Sequence, residues 1–258
     1  MTEAPLLELR RVSKHFGAVQ ALKDVDMTIH PGEIVALVGD NGSGKSTLIK
    51  SVAGTHQISG GQILWAGEPV AIRSPRHSAE LGIEIVYQDL ALADNLDVVE
   101  NMFLGREQIS KLRRLDHNGM ECRALEVLEQ LGVTTISSVR QPVASLSGGQ
   151  RQSVAVSKAV MWSAKIVLLD EPTAALGVEQ TRHVLDLILR VGQQGLGVLL
   201  VSHNLHDVFE VADRIVALRL GQKVAEFDRR TTTQTEVVEA ITFGRISAVP
   251  GQSEATTS

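Results

Sequence analysis

The sequence predicts an α/β protein built on a mostly parallel core sheet. Three observations carry that expectation. Short apolar runs alternate with helical stretches, the order that a parallel sheet with crossover helices requires. One such run, Glu33 to Val38, leads into a glycine-rich loop and then a helix. The middle of the chain, from about residue 90 to residue 162, reads as mainly helical and interrupts the strands.

The elements follow in order. Leu6 to Val12 reads as a strand, and Val25 to Ile29 alternates apolar and polar residues before a Pro31-Gly32 turn. Glu33 to Val38 is apolar and β-branched enough for a strand buried on both faces. The loop Gly39 to Gly44 comes next, and Lys45 to Ala53 has helical periodicity. Gln62 to Trp65 and Val70 to Ile72 read as short antiparallel strands joined through Gly67-Glu68, so an antiparallel β subdomain is expected. In the helical middle, Met120 to Leu131 is the clearest helix, with Leu125, Leu128 and Leu131 expected on one face. Gly148 to Trp162 is a second helix. Strands return at Ile166 to Leu169, Val198 to Val201 and Arg214 to Leu220. Helices from about Val178 to Val191 and from Leu205 to Ala212 separate them. The helical subdomain at about 90–162 is expected to be an insertion, leaving one domain over residues 6–245. Residues 246–258 are rich in Ser, Thr, Gly and Pro and predict a disordered tail.

At 258 residues the chain can hold one large domain or one domain with an insert. A formal net charge of −5 supplies no global basic field, so no nucleic-acid partner is expected. The single cysteine, Cys122, cannot form an internal disulfide and fits a reducing, cytosolic setting. It has no Cys or His at ligand spacing and reads as a passive thiol. The opening MTEAPLLELRR lacks the apolar core of a signal peptide. No apolar run approaches the ~20 residues that span a bilayer, so work at a membrane would need a separate anchor.

Two motifs carry chemistry. Gly39-Asp40-Asn41-Gly42-Ser43-Gly44-Lys45-Ser46-Thr47 matches G-x-x-x-x-G-K-[ST] between a strand and a helix. Its glycines let backbone N–H groups approach phosphate oxygens, and the helix N-terminus adds its positive dipole end. Lys45 supplies a charge for β- and γ-phosphates, and Ser46 is placed to hold Mg2+. In Lys165 to Pro172 an apolar strand ends in two carboxylates. Asp170 would meet the magnesium through water, and Glu171 would polarise an attacking water as general base. Together these motifs describe a P-loop NTPase that works with Mg2+.

Leu146-Ser147-Gly148-Gly149-Gln150 precedes the carboxylates and resembles the signature motif of the ABC ATPase family. Ser147 and the glycines open a helix, a second N-terminus fit for an anion. The resemblance implies that two ATPase domains pair head to tail, each signature capping the ATP held by the other. It extends over residues 6–245. Gln88 resembles the family's glutamine that senses magnesium and γ-phosphate, and so joins Ser46 and Asp170 as a metal-site candidate. His203 resembles the switch histidine at the γ-phosphate. Phe16 resembles the aromatic that stacks on adenine, with ordinary core packing as its plain alternative.

Glu171 to Val178, Ser202 to Leu205, Asp207 to Arg214 and Asn95 to Gly105 resemble the ATPase subunits of bacterial monosaccharide importers, in particular the single-domain, fructose-type branch. The resemblance implies a homodimer at the cytoplasmic face of the cell membrane. Its partners would be a membrane permease and, indirectly, a sugar-binding protein, with a coupling helix received along Leu90 to Gly105. Gly177 departs from the wider family, which has aspartate there; the sugar-importer branch shares the departure. The competing expectation is a soluble ABC ATPase of cofactor assembly or DNA repair.

Overall fold

A computed structural model describes residues 4–110 and 113–244, so the tail expected at 246–258 lies outside the described residues. Two sheets organise the chain. The first is antiparallel, with strand order β2-β1-β4-β5. It comprises β1 (Leu7–Phe16), β2 (Val19–Ile29), β4 (Gly60–Trp65) and β5 (Glu68–Val70). β1 and β2 make a long hairpin in which Leu7 pairs with Ile29 and Phe16 with Val19. Both strands exceed the runs visible in the sequence. Arg11 and Asp24 sit at positive φ and shift the register, which breaks the simple alternation that marks a strand. β5 begins at Glu68, before the expected Val70, because the Ala66-Gly67 turn at positive φ sets Glu68 opposite Trp65.

The second sheet has the order β10-β9-β3-β8-β7-β6. Its strands are β3 (Ile34–Val38), β6 (Ile83–Val86), β7 (Ile166–Asp170), β8 (Gly197–Val201), β9 (Arg214–Arg219) and β10 (Gln222–Asp228). Every pairing from β9 to β6 is parallel, and only β10 runs antiparallel, to β9. The mostly parallel α/β core is therefore as the sequence predicts. β3 and β8 are buried along their whole length, as apolar strands covered on both faces must be. Alternation in β3 divides it between neighbours. Val35 and Leu37 join the core under the antiparallel sheet, while Ala36 and Val38 join a separate core on the opposite face. β6 and β10 carried no clear signal. The first is four residues long with Glu84 inside it, and the second is a half-buried edge strand.

The helices are α1 (Lys45–Val52), α2 (Pro75–Leu81), α3 (Val98–Phe103), α4 (His117–Gln130), α5 (Gly148–Met161), α6 (Val178–Gln193), α7 (Leu205–Val211) and α8 (Gln234–Phe243). The chain leaves the sheet after β6, builds α3, α4 and α5, and returns as β7 beside β6. α3 to α5 share one core with α6 and one face of the sheet, including Met102, Phe103, Val127, Val156 and Ile188. Full burial of each such side chain is worth about 1.5–3 kcal/mol.

One expectation about α4 is corrected. Leu125 is 48% exposed, whereas Leu128 and Leu131 are buried with Met120, Ala124 and Val127. A repeat of three drifts about 60° per step around a helix of 3.6 residues per turn, so Leu125 leaves the buried stripe that Ala124 and Leu128 define. Among the described residues no helix is long and apolar enough to cross a membrane.

Candidate functional site

The parallel strands end on one side of the sheet, and the loops that follow them carry the residues singled out by sequence. This is where α/β sheets place ligands. β3 runs into Gly39–Gly44, β7 into Glu171, β8 into Ser202-His203 and β6 into the turn holding Gln88.

The glycines after β3 are demanded by space as well as by φ. Gly39 has φ +151°, and a Cβ there would lie 2.2 Å from the Leu218 carbonyl oxygen and 2.6 Å from Ser43 Oγ. Gly44 has φ +107°, and its Cβ would lie 2.8 Å from the Ala21 carbonyl oxygen. Gly42, at φ +80°, faces open space. Gly44 is also the N-cap of α1, with no side chain capping the first N–H groups of that helix. Asp40 and Asn41 are exposed at the loop's crest, as is Ser46 at the helix start, and Thr47 is half-buried. Lys45 is buried, and its Nζ donates to the carbonyl oxygens of Gly39, at 2.6 Å, and Asp40, at 3.0 Å. Burial pulls the Lys45 pKa down, while Glu171, Asp40 and Asp170 pull it back up.

Ser43 Oγ is buried and has no hydrogen-bond partner. An orphaned hydroxyl beside uncapped N–H groups and a buried lysine is the donor set a polyphosphate satisfies. Among the described residues no cluster of three or more His, Cys, Asp or Glu side chains could cage a metal by itself. Mg2+ does not need such a cage, since it takes one or two protein oxygens and completes its shell with phosphate and water.

Asp170 closes β7, and Glu171 follows at φ +51°, a left-handed conformation that strains a non-glycine residue. Burial raises the Asp170 pKa, and Glu171 raises it further against the opposing pull of Lys50 and Lys45. Glu171 Oε1 meets His203 Nδ1 at 3.1 Å, so residues far apart in sequence form one pair. Both line a cavity with Gly39, Asp40 and Asn41. Glu171 also lines a second cavity with Lys45, Ser46 and Thr47.

Other candidates sit apart. Gln88 is exposed at the carboxyl end of the sheet and lines neither cavity. Phe16 is 44% exposed, so it is not core; its ring meets His56 edge-on at 5.1 Å, with Lys14 Nζ 4.9 Å from its centroid. Leu146 is buried, and Ser147 caps α5 through a reciprocal bond pair with Gln150. Gly148 and Gly149 leave room for Leu176 and Gln180, where a Cβ on either would approach to 3.0 Å. None of Leu146 to Gln150 lines the two cavities.

Sequence reasoning missed Val19 and Leu220, which line the cavity beside Lys45 and are 66% and 75% exposed. Leu220 stands at φ +48° before Gly221, whose N–H donates to the Ser43 carbonyl at 2.9 Å. An apolar residue just before a turn glycine was the available signal.

Gly177 is the N-cap of α6 and supplies no side-chain bond; a Cβ there would meet nothing within 4 Å. Gly177→Asp is expected to cap the helix and raise stability by about 0.5 kcal/mol, or roughly 1–2 °C in melting temperature by calorimetry. An unchanged or lower melting temperature would contradict this.

A family model described as ABC transporter matches residues 22–174. The chain is 45% identical over 249 residues to the fructose import ATP-binding protein FrcA of Rhizobium meliloti, covering 94% of this chain and 95% of that one. It is 46% identical to the xylose/arabinose import ATP-binding protein XylG of Sulfolobus acidocaldarius, covering 92% and 94%. Among solved structures it resembles a dimeric post-hydrolysis state of the ATP-binding cassette MJ0796 bound to ADP and Pi. There the TM-score is 0.72 at 26% identity, over 88% of this chain and 100% of that one. The ADP conformation of the cassette MJ1267 shares the fold, with TM-score 0.80 at 24% identity over 95% and 97% of the two chains. By its phosphate loop, its carboxylates at the end of β7 and these likenesses across nearly its whole length, the chain belongs to the ABC transporter family, as a nucleotide-binding ATPase domain.

Proposed function

We propose that this chain is the ATP-hydrolysing subunit of a sugar importer, active as a head-to-tail homodimer beneath a separate permease. The carrying observation is the convergence of Lys45, Glu171 and His203 at one end of the sheet, in a chain close to full-length sugar-import relatives.

The N–H groups from Gly39 to Thr47 and the Lys45 ammonium hold the phosphates, and Phe16 stacks on the adenine. Ser46, Gln88 and Asp170 would hold Mg2+, which neutralises charge on the β- and γ-phosphate oxygens. Glu171 takes a proton from the attacking water at a carboxylate oxygen, and the His203 imidazole orients that carboxylate and reaches the γ-phosphate. Leu146 to Gln150 present an N-terminus to the ATP of a second subunit, since they line neither cavity beside this chain's own phosphate loop. The import-named relatives favour this reading over a soluble role in cofactor assembly or DNA repair. The protein then belongs at the cytoplasmic face of the cell membrane, held by the permease and served by a sugar-binding protein.

The test is co-expression with candidate sugar permeases, followed by membrane fractionation and phosphate-release assays. The chain is expected in the membrane fraction, with turnover that rises with sugar-loaded binding protein. A complex that is wholly soluble and indifferent to the permease sinks the import reading.

A further inference from the structure

The pair Glu171 and His203 sits on two different loops. The Glu171 N–H donates to the Val201 carbonyl at 2.9 Å, which joins the two backbones where the strands end but leaves the side chains and the loops beyond to other contacts. The His203 side chain is 64% exposed, and Glu171 is held in a left-handed conformation. Behind them lies Asp207, 2% exposed, in the first turn of α7. One of its oxygens, Oδ2, accepts from Thr173 Oγ1 at 2.7 Å. The other, Oδ1, accepts from Asn204 Nδ2 at 2.9 Å. Thr173 is two residues beyond Glu171, and Asn204 is one beyond His203. A single buried carboxylate therefore ties the loop after β7 to the loop after β8.

Burying a carboxylate is costly unless its oxygens are satisfied, and an apolar residue would anchor α7 more cheaply. What the carboxylate adds is direction, one hydrogen bond to each loop. Asn204 is itself fixed, its Oδ1 accepting from His206 N at 3.0 Å and its own N–H donating to Ser202 Oγ at 3.0 Å. The restraint thus passes from Asp207 to the backbone that carries each of the two reacting residues.

We infer that Asp207 is a positioning residue which, with Thr173, sets the distance between Glu171 and His203 for ATP hydrolysis. The inference rests on the hydrolytic reading above. It does not require Asp207 or Thr173 to touch nucleotide.

Thr173→Val is nearly isosteric and removes only the hydroxyl donor, whereas Thr173→Ser keeps it. Asp207→Leu is similar in size and removes both acceptors, whereas in Asp207→Asn the NH2 can donate to the Thr173 hydroxyl and the amide oxygen can still accept from Asn204, so both links survive. Steady-state phosphate release by the chain assembled with its permease is measured beside affinity for a fluorescent ATP analogue and melting temperature. Thr173→Val and Asp207→Leu are expected to lower kcat by about tenfold to a hundredfold, the scale on which small misplacements act, with KM for ATP within about twofold. Thr173→Ser and Asp207→Asn are expected within about threefold of wild-type kcat, and the Thr173→Val/Asp207→Leu double variant no worse than Asp207→Leu, because the latter already cuts the link to Thr173. Wild-type kcat in Thr173→Val overturns the inference. So does a loss that follows falling melting temperature and nucleotide affinity together, since the bonds then serve the fold alone. An inactive wild type, or a Glu171→Gln variant as active as wild type, overturns the hydrolytic reading instead and takes this inference with it.

Discussion

Glu171→Gln is expected to lower ATP turnover by about 10²- to 10⁴-fold, the range lost with a positioned general base. The amide has nearly the shape of the carboxylate but a far weaker affinity for a proton. His203 Nδ1, 3.1 Å from Glu171 Oε1, can still meet the amide oxygen, so the loop should not rearrange. The groups proposed to hold phosphate, namely the Gly39 to Thr47 N–H groups and Lys45, are untouched. Nucleotide affinity should therefore stay within about threefold of wild type while kcat collapses, the signature of an interaction used only in the transition state. With Mg2+ and ATP the variant should accumulate as a nucleotide-bound dimer, because the reopening that follows hydrolysis is blocked. Phosphate release and light scattering after size exclusion check both outcomes. Equal turnover in variant and wild type would remove Glu171 from the role of base.

Gly39→Ala is expected to have the largest effect on stability. The added Cβ meets the Leu218 carbonyl oxygen at 2.2 Å and Ser43 Oγ at 2.6 Å, and φ is +151°. Neither β3 nor β9 can yield easily, since both are buried strands paired side by side. Backbone strain and overpacking together give about 3–5 kcal/mol, which lowers the melting temperature by roughly 10 °C or prevents folding. Gly42→Ala is the control. Its φ of +80° is also left-handed, but nothing lies within 4 Å, so a cost of about 1–2 kcal/mol is expected. Thermal melts of the two variants should separate clearly. Coincident melts would show that φ, and not the approach of Leu218, governs the loop.

The sequence by itself determined what is local. Gly39 to Thr47 specifies a turn and a helix start because glycine alone tolerates the φ values and the close approach found there. Burial of β3 and β8 on both faces was legible because continuous apolar runs have no other stable place. Asp170 and Glu171 were legible as the polar end of such a run. The importer branch was legible in short motifs spread along the chain. Only the tertiary structure decided how distant loops meet. It set His203 against Glu171 and buried Asp207 between Thr173 and Asn204. It brought Val19 and Leu220 to the cavity beside Lys45, and it turned Leu125 outward while Ala124 went in. The physical reason is the same in each case. Propensity and periodicity report how a segment satisfies its own backbone and its nearest burial, whereas strand order and helix rotation are chosen by packing between segments.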